Sequence, residues 1–166
     1  MPIPEFVQRL RSALGHEQLW LSGVSGVVLD DDLRILLGRR SDTGRWAVVS
    51  GILEPGEEPA VALVREVLEE TGVVAEVVAL TAVSTGRPVT YPNGDTAQYL
   101  DLCFWCRAVG GEARVADDES TEVGWFELDS LPTDLTESSV ERIARTVEYL
   151  TATFTDGRPL TWFARD

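Results

Sequence analysis

Glu66, Glu69 and Glu70 stand at a spacing that brings their carboxylates together if the segment is helical. Positions i, i+3 and i+4 are neighbours on a helix surface, and at roughly 100° per residue the three acids share about a third of the circumference. Like charges so placed repel by about a few tenths of a kcal/mol when solvated and by more when crowded. A hard divalent cation with oxygen ligands is the natural compensation, so the cluster points to Mg²⁺ or Mn²⁺. A diphosphate substrate fits the same logic: a polyanion approaches three carboxylates only with cations between them, and the metal then serves as Lewis acid, template and water activator. Glutamates on a helix more often form a solvated face, and the flanking residues argue against that here.

The helix that carries the acids is expected to run from about Pro59 to Thr71. Pro59 suits the first helical position, where its missing N–H costs nothing, and Gly72 suits the position just past the end, where positive φ is needed. Ala60, Val64, Val67, Leu68 and Thr71 fall roughly opposite the acids and read as the stripe that anchors the helix to a core. Gly51 lies six residues ahead of Glu57, and Arg65 eight beyond it, so residues 51–73 read G-x5-E-x7-R-E-U-x-E-E-x-G-U, with U aliphatic.

This box resembles that of the Nudix hydrolases, completely over residues 51–73 and more loosely from about Val24 to Pro132. The resemblance implies a mixed β-sheet in an α/β/α sandwich. It also implies a pyrophosphohydrolase that splits a nucleoside diphosphate linked to a second moiety. Carried onto this chain, Glu66, Glu69 and Glu70 become metal ligands, with the Gly51 carbonyl often a further one, while Glu57, Arg65 and Gly72 are structural. The arginine would orient the box glutamates from behind the metal ligands. Family members commonly draw an additional acid from a loop beyond the box, and the run Asp117-Asp118-Glu119-Ser120-Thr121-Glu122 is its natural source. Glu119 is the first choice for the base that deprotonates the attacking water, acting with Glu69 and Glu70, and Glu69 is the base if the loop is not. One departure is evident: where family members often read Leu-Pro-Gly-Gly, this chain has Val48-Val49-Ser50-Gly51.

The substrate is less legible. A proline shortly beyond the box leans toward ADP-ribose enzymes in the family and a slightly later tyrosine toward diadenosine polyphosphate enzymes, and Pro88 and Tyr91 supply both. An ADP-ribose-like compound and a nucleoside triphosphate, oxidised or not, both stay open. Tyr91 or Tyr99 could stack on a base, and Arg39, Arg40, Arg45 or Arg87 could furnish a local positive spot, Arg39 and Arg87 being the ones singled out for phosphate. The alternatives to an enzyme are a catalytically inactive nucleotide-binding module on the same fold and an acidic scaffold or calcium binder. No D-x-D-x-D-G loop with a distal Glu favours the last.

At 166 residues and 44% hydrophobic content, residues 1–166 are expected to form a single domain. Residues 1–20 would be an N-terminal helical extension and residues 133–166 a C-terminal helix and tail. The net charge of −14 offers no basic stripe for extended phosphates, which argues against nucleic acid and leaves a small nucleotide as partner. No basic segment precedes an apolar one at the start, and no run approaches the roughly 20 apolar residues of a span, so no membrane is expected and the chain reads as cytosolic. Cys103 and Cys106 lack a second pair and His16 is the only histidine, so both read as reduced packing residues on opposite strand faces.

Along the chain, a short helix is expected from Pro4 to Leu14. Val24 to Leu29 and Leu33 to Leu37 read as a hairpin, and Trp46 to Val49 as a short strand entering the box. Val73 to Val83 and Gln98 to Val109 read as strands, with Asn93-Gly94 a type I′ turn between them and Gly110-Gly111 another turn. Val123 to Leu128 is a late strand, followed by a helix from about Glu137 to Leu150 with Val140, Ile143, Ala144 and Val147 as its buried face. The tail from Phe154 to Phe163 is too apolar to stay apart from the core or a partner chain, and a homodimer is expected.

Overall fold

Leu19–Leu29 (β1) is buried at all but two of its positions, as a strand covered on both faces requires. In the computed structural model, which describes residues 3–165, this strand is the centre of a mixed sheet. The other strands are Ile35–Arg40 (β2), Trp46–Ala47 (β3), Val49–Ile52 (β4), Val73–Thr85 (β5), Val89–Thr90 (β6), Thr96–Gly111 (β7), Ser120–Phe126 (β8) and Trp162–Phe163 (β9). The helices are Glu5–Leu14 (α1), Pro59–Thr71 (α2) and Glu137–Asp156 (α3). The order is β3-β2-β1-β7-β5-β9, with β4 paired to β1, β6 to β7 and β8 to β2. The pairing of β1 with β7 is parallel, from Leu19 beside Ala97 to Leu29 beside Arg107.

Alternation along β1 sorts the layers. Val24 and Val28 pack with Ala62, Leu63 and Val67 of α2, whereas Val27 and Leu29 pack with Ile143 and Leu150 of α3. By the same parity α1 lies on the α3 side, with Val7 against Leu19, Leu21 and Ala97. The result is the expected α/β/α sandwich. Cys103 and Cys106 are buried, free and on opposite faces. Among the described residues no helix is long and apolar enough to cross a membrane.

Tertiary pairing overrides several local expectations. The hairpin of β1 and β2 meets only at Leu29 and Ile35, because β4 takes the edge of β1 from Gly23 to Gly26 and β2 pairs along its length with β8. Gly110 and Gly111 are not a turn: β7 continues through them, paired with Val74 and Val73. The Asn93-Gly94 turn is not type I′, since Gly94 has φ 88° while Leu33 is the sole non-glycine at positive φ among the described residues. Instead Gly94 donates its N–H to the Tyr91 carbonyl at 2.9 Å, the Asp95 carbonyl accepts from the Tyr91 N–H at 2.8 Å, and Asn93 Oδ1 accepts the Asp95 N–H at 3.1 Å.

Helix α3 is longer than expected and presents a different face. Ser139, Ile143, Thr146 and Leu150 are buried, while Val140 is 52% and Val147 38% exposed and Ala144 is exposed as well. Polar partners waiting on the sheet decide this. Ser139 Oγ accepts the Val48 N–H at 3.1 Å, Thr146 meets Thr81 at 3.0 Å, and Arg142 clamps Asp101 at 3.0 and 3.1 Å. Asp101 also accepts the Ser25 hydroxyl at 2.9 Å. Turning the aliphatic residues inward would leave these buried groups unpaired, which costs more than exposing two valines. Beyond α3, Trp162 packs into the core and β9 adds parallel to β5, with Trp162 beside Ala82.

Candidate active site

Helix α2 begins with Pro59 in its first turn and ends at Gly72, whose φ of 71° lets its N–H return to the Leu68 carbonyl. The face it buries is not the apolar stripe read from the sequence. Ala62, Leu63, Glu66, Val67, Glu70 and Thr71 are buried, whereas Leu68 is 48% exposed and Ala60 and Val64 are half-buried. The stripe is rotated so that two of the acids lie within it. Glu66 is fully buried and Glu70 nearly so; Glu69, at the edge of the same face, is exposed.

Gly51 explains how a carboxylate fits there. It sits on β4 beside Val24 of β1, and a Cβ at this position would overlap the Glu66 carboxyl and lie 2.7 Å from its Cγ. Glycine is therefore required by close approach. Both Glu66 carboxylate oxygens are buried without a hydrogen-bond partner. Arg65 Nη1 lies 3.1 Å from Glu66 Oε1, close enough for charge attraction but off the angle of a hydrogen bond. The rest of its guanidinium is committed: Nε and Nη2 donate to the two Glu57 oxygens at 3.0 and 3.2 Å, and Nη1 donates to Glu69 Oε2 at 3.1 Å.

Burial pushes the Glu66 carboxyl up to about 7 against the opposing charge of Arg65. Burial also pushes Glu70 up to about 8, with the charges of Glu66 and Asp117 adding to the rise and Arg40 opposing it. Two desolvated acids, one of them with both oxygens unsatisfied, fit a hard cation, which would supply the missing charge and the missing partners. As the site stands, no three acids among the described residues converge to hold an ion, Glu69 being turned to Arg65.

A stability profile checks the burial directly. Both acids bind protons more tightly folded than unfolded, so between the ordinary value of 4.5 and the raised values near 7 and 8 the native state holds more protons and stability must fall as pH rises. In EDTA, the melting temperature is expected to drop between about pH 5 and about pH 8, and Mg²⁺ is expected to restore it at the upper end but not at the lower. A flat profile in the metal-free protein would contradict this.

The loop beyond β7 and the end of β2 bring further charges to the acids, and the other candidate residues stand farther along the same strands and links. The loop over residues 112–119 crosses the end of α2, where Arg114 and Ala116 donate N–H groups to the Thr71 and Glu70 carbonyls at 2.9 and 3.2 Å. That crossing brings Asp117 within charge range of Glu70. Glu119 is half-buried; its N–H donates to Asp117 Oδ1 at 3.0 Å and its carbonyl accepts from Ser41 at 2.7 Å. Arg39 is drawn to Glu122 on the facing strand at 2.6 Å, whereas Arg40, held by Asp42 at 2.9 and 2.6 Å, lies within charge range of Glu70 and Tyr91. Tyr91 and Tyr99 join hydroxyls at 2.8 Å. Arg87 is exposed in the link between β5 and β6.

A family model of the NUDIX domain matches residues 20–147. The chain belongs to the Nudix family. It is 41% identical to a MutT-like protein of Streptomyces ambofaciens over 108 residues, which are 65% of this chain and 64% of that one. An ADP-ribose pyrophosphatase of Methanocaldococcus jannaschii is 32% identical over 111 residues, 66% of this chain and 63% of that one. The chain thus spans just under two thirds of the length of these curated relatives. A MutT NUDIX hydrolase from Burkholderia pseudomallei has a solved structure that superposes with a TM-score of 0.64 at 28% identity, covering 76% of this chain and 98% of that one.

The Nudix box accounts for Gly51, Glu57, Arg65, Glu66 and Glu70, which the fold gathers, and for Glu69, which Arg65 holds at their edge. Arg40, Asp117 and Gly23 come to the same place without having been singled out. Adjacent strand residues point to opposite faces, so the choice between Arg39 and Arg40 turned on how β2 pairs with β8, which no local pattern announces.

Proposed function

We propose that the chain is a pyrophosphohydrolase, dependent on a divalent cation, that cleaves the diphosphate linkage of a nucleoside diphosphate derivative. One observation carries the reading: a fully buried carboxylate, Glu66, with neither oxygen satisfied, set against a glycine backbone and beside the second buried acid Glu70. Glu66, Glu70 and the Gly51 carbonyl would hold Mg²⁺ or Mn²⁺, and Glu69 joins them on giving up its exposed contact with Arg65. When bound, the metal supplies Lewis acidity and lowers the pKa of a coordinated water.

The chain's own residues do the rest. Arg65, clamped by Glu57, sets the angle of the helix acids. Arg40 offers its guanidinium to a substrate phosphate at the Glu70 side, and the Tyr91 and Tyr99 rings provide a wall for the nucleoside. An acid of the loop over residues 117–119 takes the proton of the attacking water. The ADP-ribose pyrophosphatase among the relatives supports an ADP-ribose-like substrate, and a nucleoside triphosphate is the second class. Incubation with Mg²⁺ and a panel of ADP-ribose, nucleoside triphosphates and their 8-oxo forms, with phosphate products separated, tests both. Release of a nucleoside monophosphate is the expected result. Nucleotide binding without turnover would replace the enzyme by a binding module.

A further inference from the structure

Helix α1 lies outside residues 20–147, the part matched by the NUDIX domain, yet it is tied to the proposed nucleoside wall at three points. Phe6 and Val7 pack in one cluster with Tyr99 and with Ile52, the residue after Gly51. Arg11, only 15% exposed, donates to the Thr96 carbonyl at 2.8 Å and to the Gly15 and Glu17 carbonyls at 3.1 and 2.7 Å, and its Nε lies 3.5 Å from Asp95. His16, just past the helix, meets the other Asp95 oxygen at 2.7 Å. Asp95 is also held by the Asn93 amide at 3.0 Å.

These ties act where the fold otherwise provides little. The tip carrying Tyr91 rests on β6, whose pairing with β7 consists of Val89 with Ala97 and Thr90 with Thr96, and residues 86–94 are exposed. So short a ribbon is marginal by itself. Tyr91 is nonetheless placed, through the Asp95 end of its turn, so that its hydroxyl reaches Tyr99 at 2.8 Å. Tyr99 in turn is linked to the acids through Arg40, which lies within charge range of Tyr99, Tyr91 and Glu70, and a Cβ at Gly23 would lie 3.6 Å from its ring and 3.4 Å from the Gly51 carbonyl oxygen.

We propose that α1 and His16 form a tether that sets the nucleoside affinity of the site, with Arg11 and His16 as positioning residues that hold the Tyr91 tip against Tyr99. The inference rests on the pyrophosphohydrolase reading for the location of the nucleoside. Loss of the tether leaves the acids of α2 untouched and frees the tip, so an ordering cost falls on nucleotide binding and not on the chemical step.

The test uses the full chain with Mg²⁺ and two substrates, ADP-ribose and a ribosyl diphosphate that lacks a base. Arg11→Ala and His16→Ala are each expected to raise KM for ADP-ribose about tenfold with kcat within about twofold, and to leave KM for the base-free compound unchanged. His16→Asn, which keeps a donor near the Nδ1 position, is expected to restore most of the affinity. His16 is 70% exposed, so its variants keep the fold should Arg11→Ala lose it. Unchanged ADP-ribose KM in the His16→Ala chain, or an equal rise for both substrates, would overturn the tether. Should the wild type hydrolyse neither compound, the enzymatic reading fails, and the tether is then decided by the Kd of ADP-ribose, which the same variants must weaken by the same factor.

Discussion

Glu70→Gln is expected to leave the fold intact and to lower kcat by on the order of 10²–10³, the usual effect of removing one charge from a preorganised electrostatic site. The residue is nearly buried and its carboxyl is pushed up to about 8 chiefly by burial. In the metal-free protein at neutral pH a neutral amide is therefore easier to bury than the carboxylate. The variant should melt no lower than the wild type in EDTA, and higher near about pH 8. The stabilisation that Mg²⁺ gives the wild type should largely vanish. Activity, metal-linked stability and metal-free stability thus move in a combination that no simple folding defect reproduces. Full wild-type activity in EDTA, or an unaffected Glu70→Gln variant, would sink the metal assignment.

The second large effect concerns the acid that takes the water proton, whose loss typically costs about 10²–10⁴ in rate. Glu119 is the choice made from the sequence, and its loop reaches the site: its neighbour Asp117 perturbs Glu70, and burial raises the Asp117 carboxyl above its ordinary value. Glu122 is engaged with Arg39 at 2.6 Å on the facing strand. Glu119→Gln is therefore expected to lower kcat at neutral pH by about 10² or more with little change in KM, while Glu122→Gln stays near wild type. Asp117→Asn separates the two loop acids, since a loss confined to it would move the role from Glu119 to Asp117. If Asp117→Asn and Glu119→Gln both match wild type while Glu69→Gln is inactive, the base lies in the box at Glu69.

What the sequence determined by itself is the helix and its chemistry. Pro59 at the start, Gly72 at the end and the i, i+3, i+4 acids are local signals, governed by backbone sterics and helix geometry that act within a few residues. The bounds Pro59–Thr71 follow from them and match the structure. The strands around residues 73–109 were legible as apolar runs bounded by glycines and turn residues, again a local signal.

Orientation and pairing were decided only in three dimensions. Hydrophobicity alone pointed the buried face of α2 away from its acids and that of α3 toward Val140 and Val147. In the fold, Glu66 and Glu70 turn inward against Gly51, and Ser139, Arg142 and Thr146 turn inward because Val48, Asp101 and Thr81 await them. A buried polar group is set by its partner, and these partners lie on segments of the sheet distant in sequence. The hairpin of β1 and β2 forms but stays short, and the glycines at 110 and 111 continue a strand instead of turning, for a related reason: an edge is free or taken according to which strand arrives there, and β4, β8 and β5 arrive from elsewhere in the chain. The proposed site is thus local in the residues that would be its ligands and non-local in its surroundings. The proposed chemistry could be read from residues 51–73, whereas the choice of Arg40 over Arg39, the approach of Asp117 to Glu70 and the tie from α1 were decided only when the strands were paired.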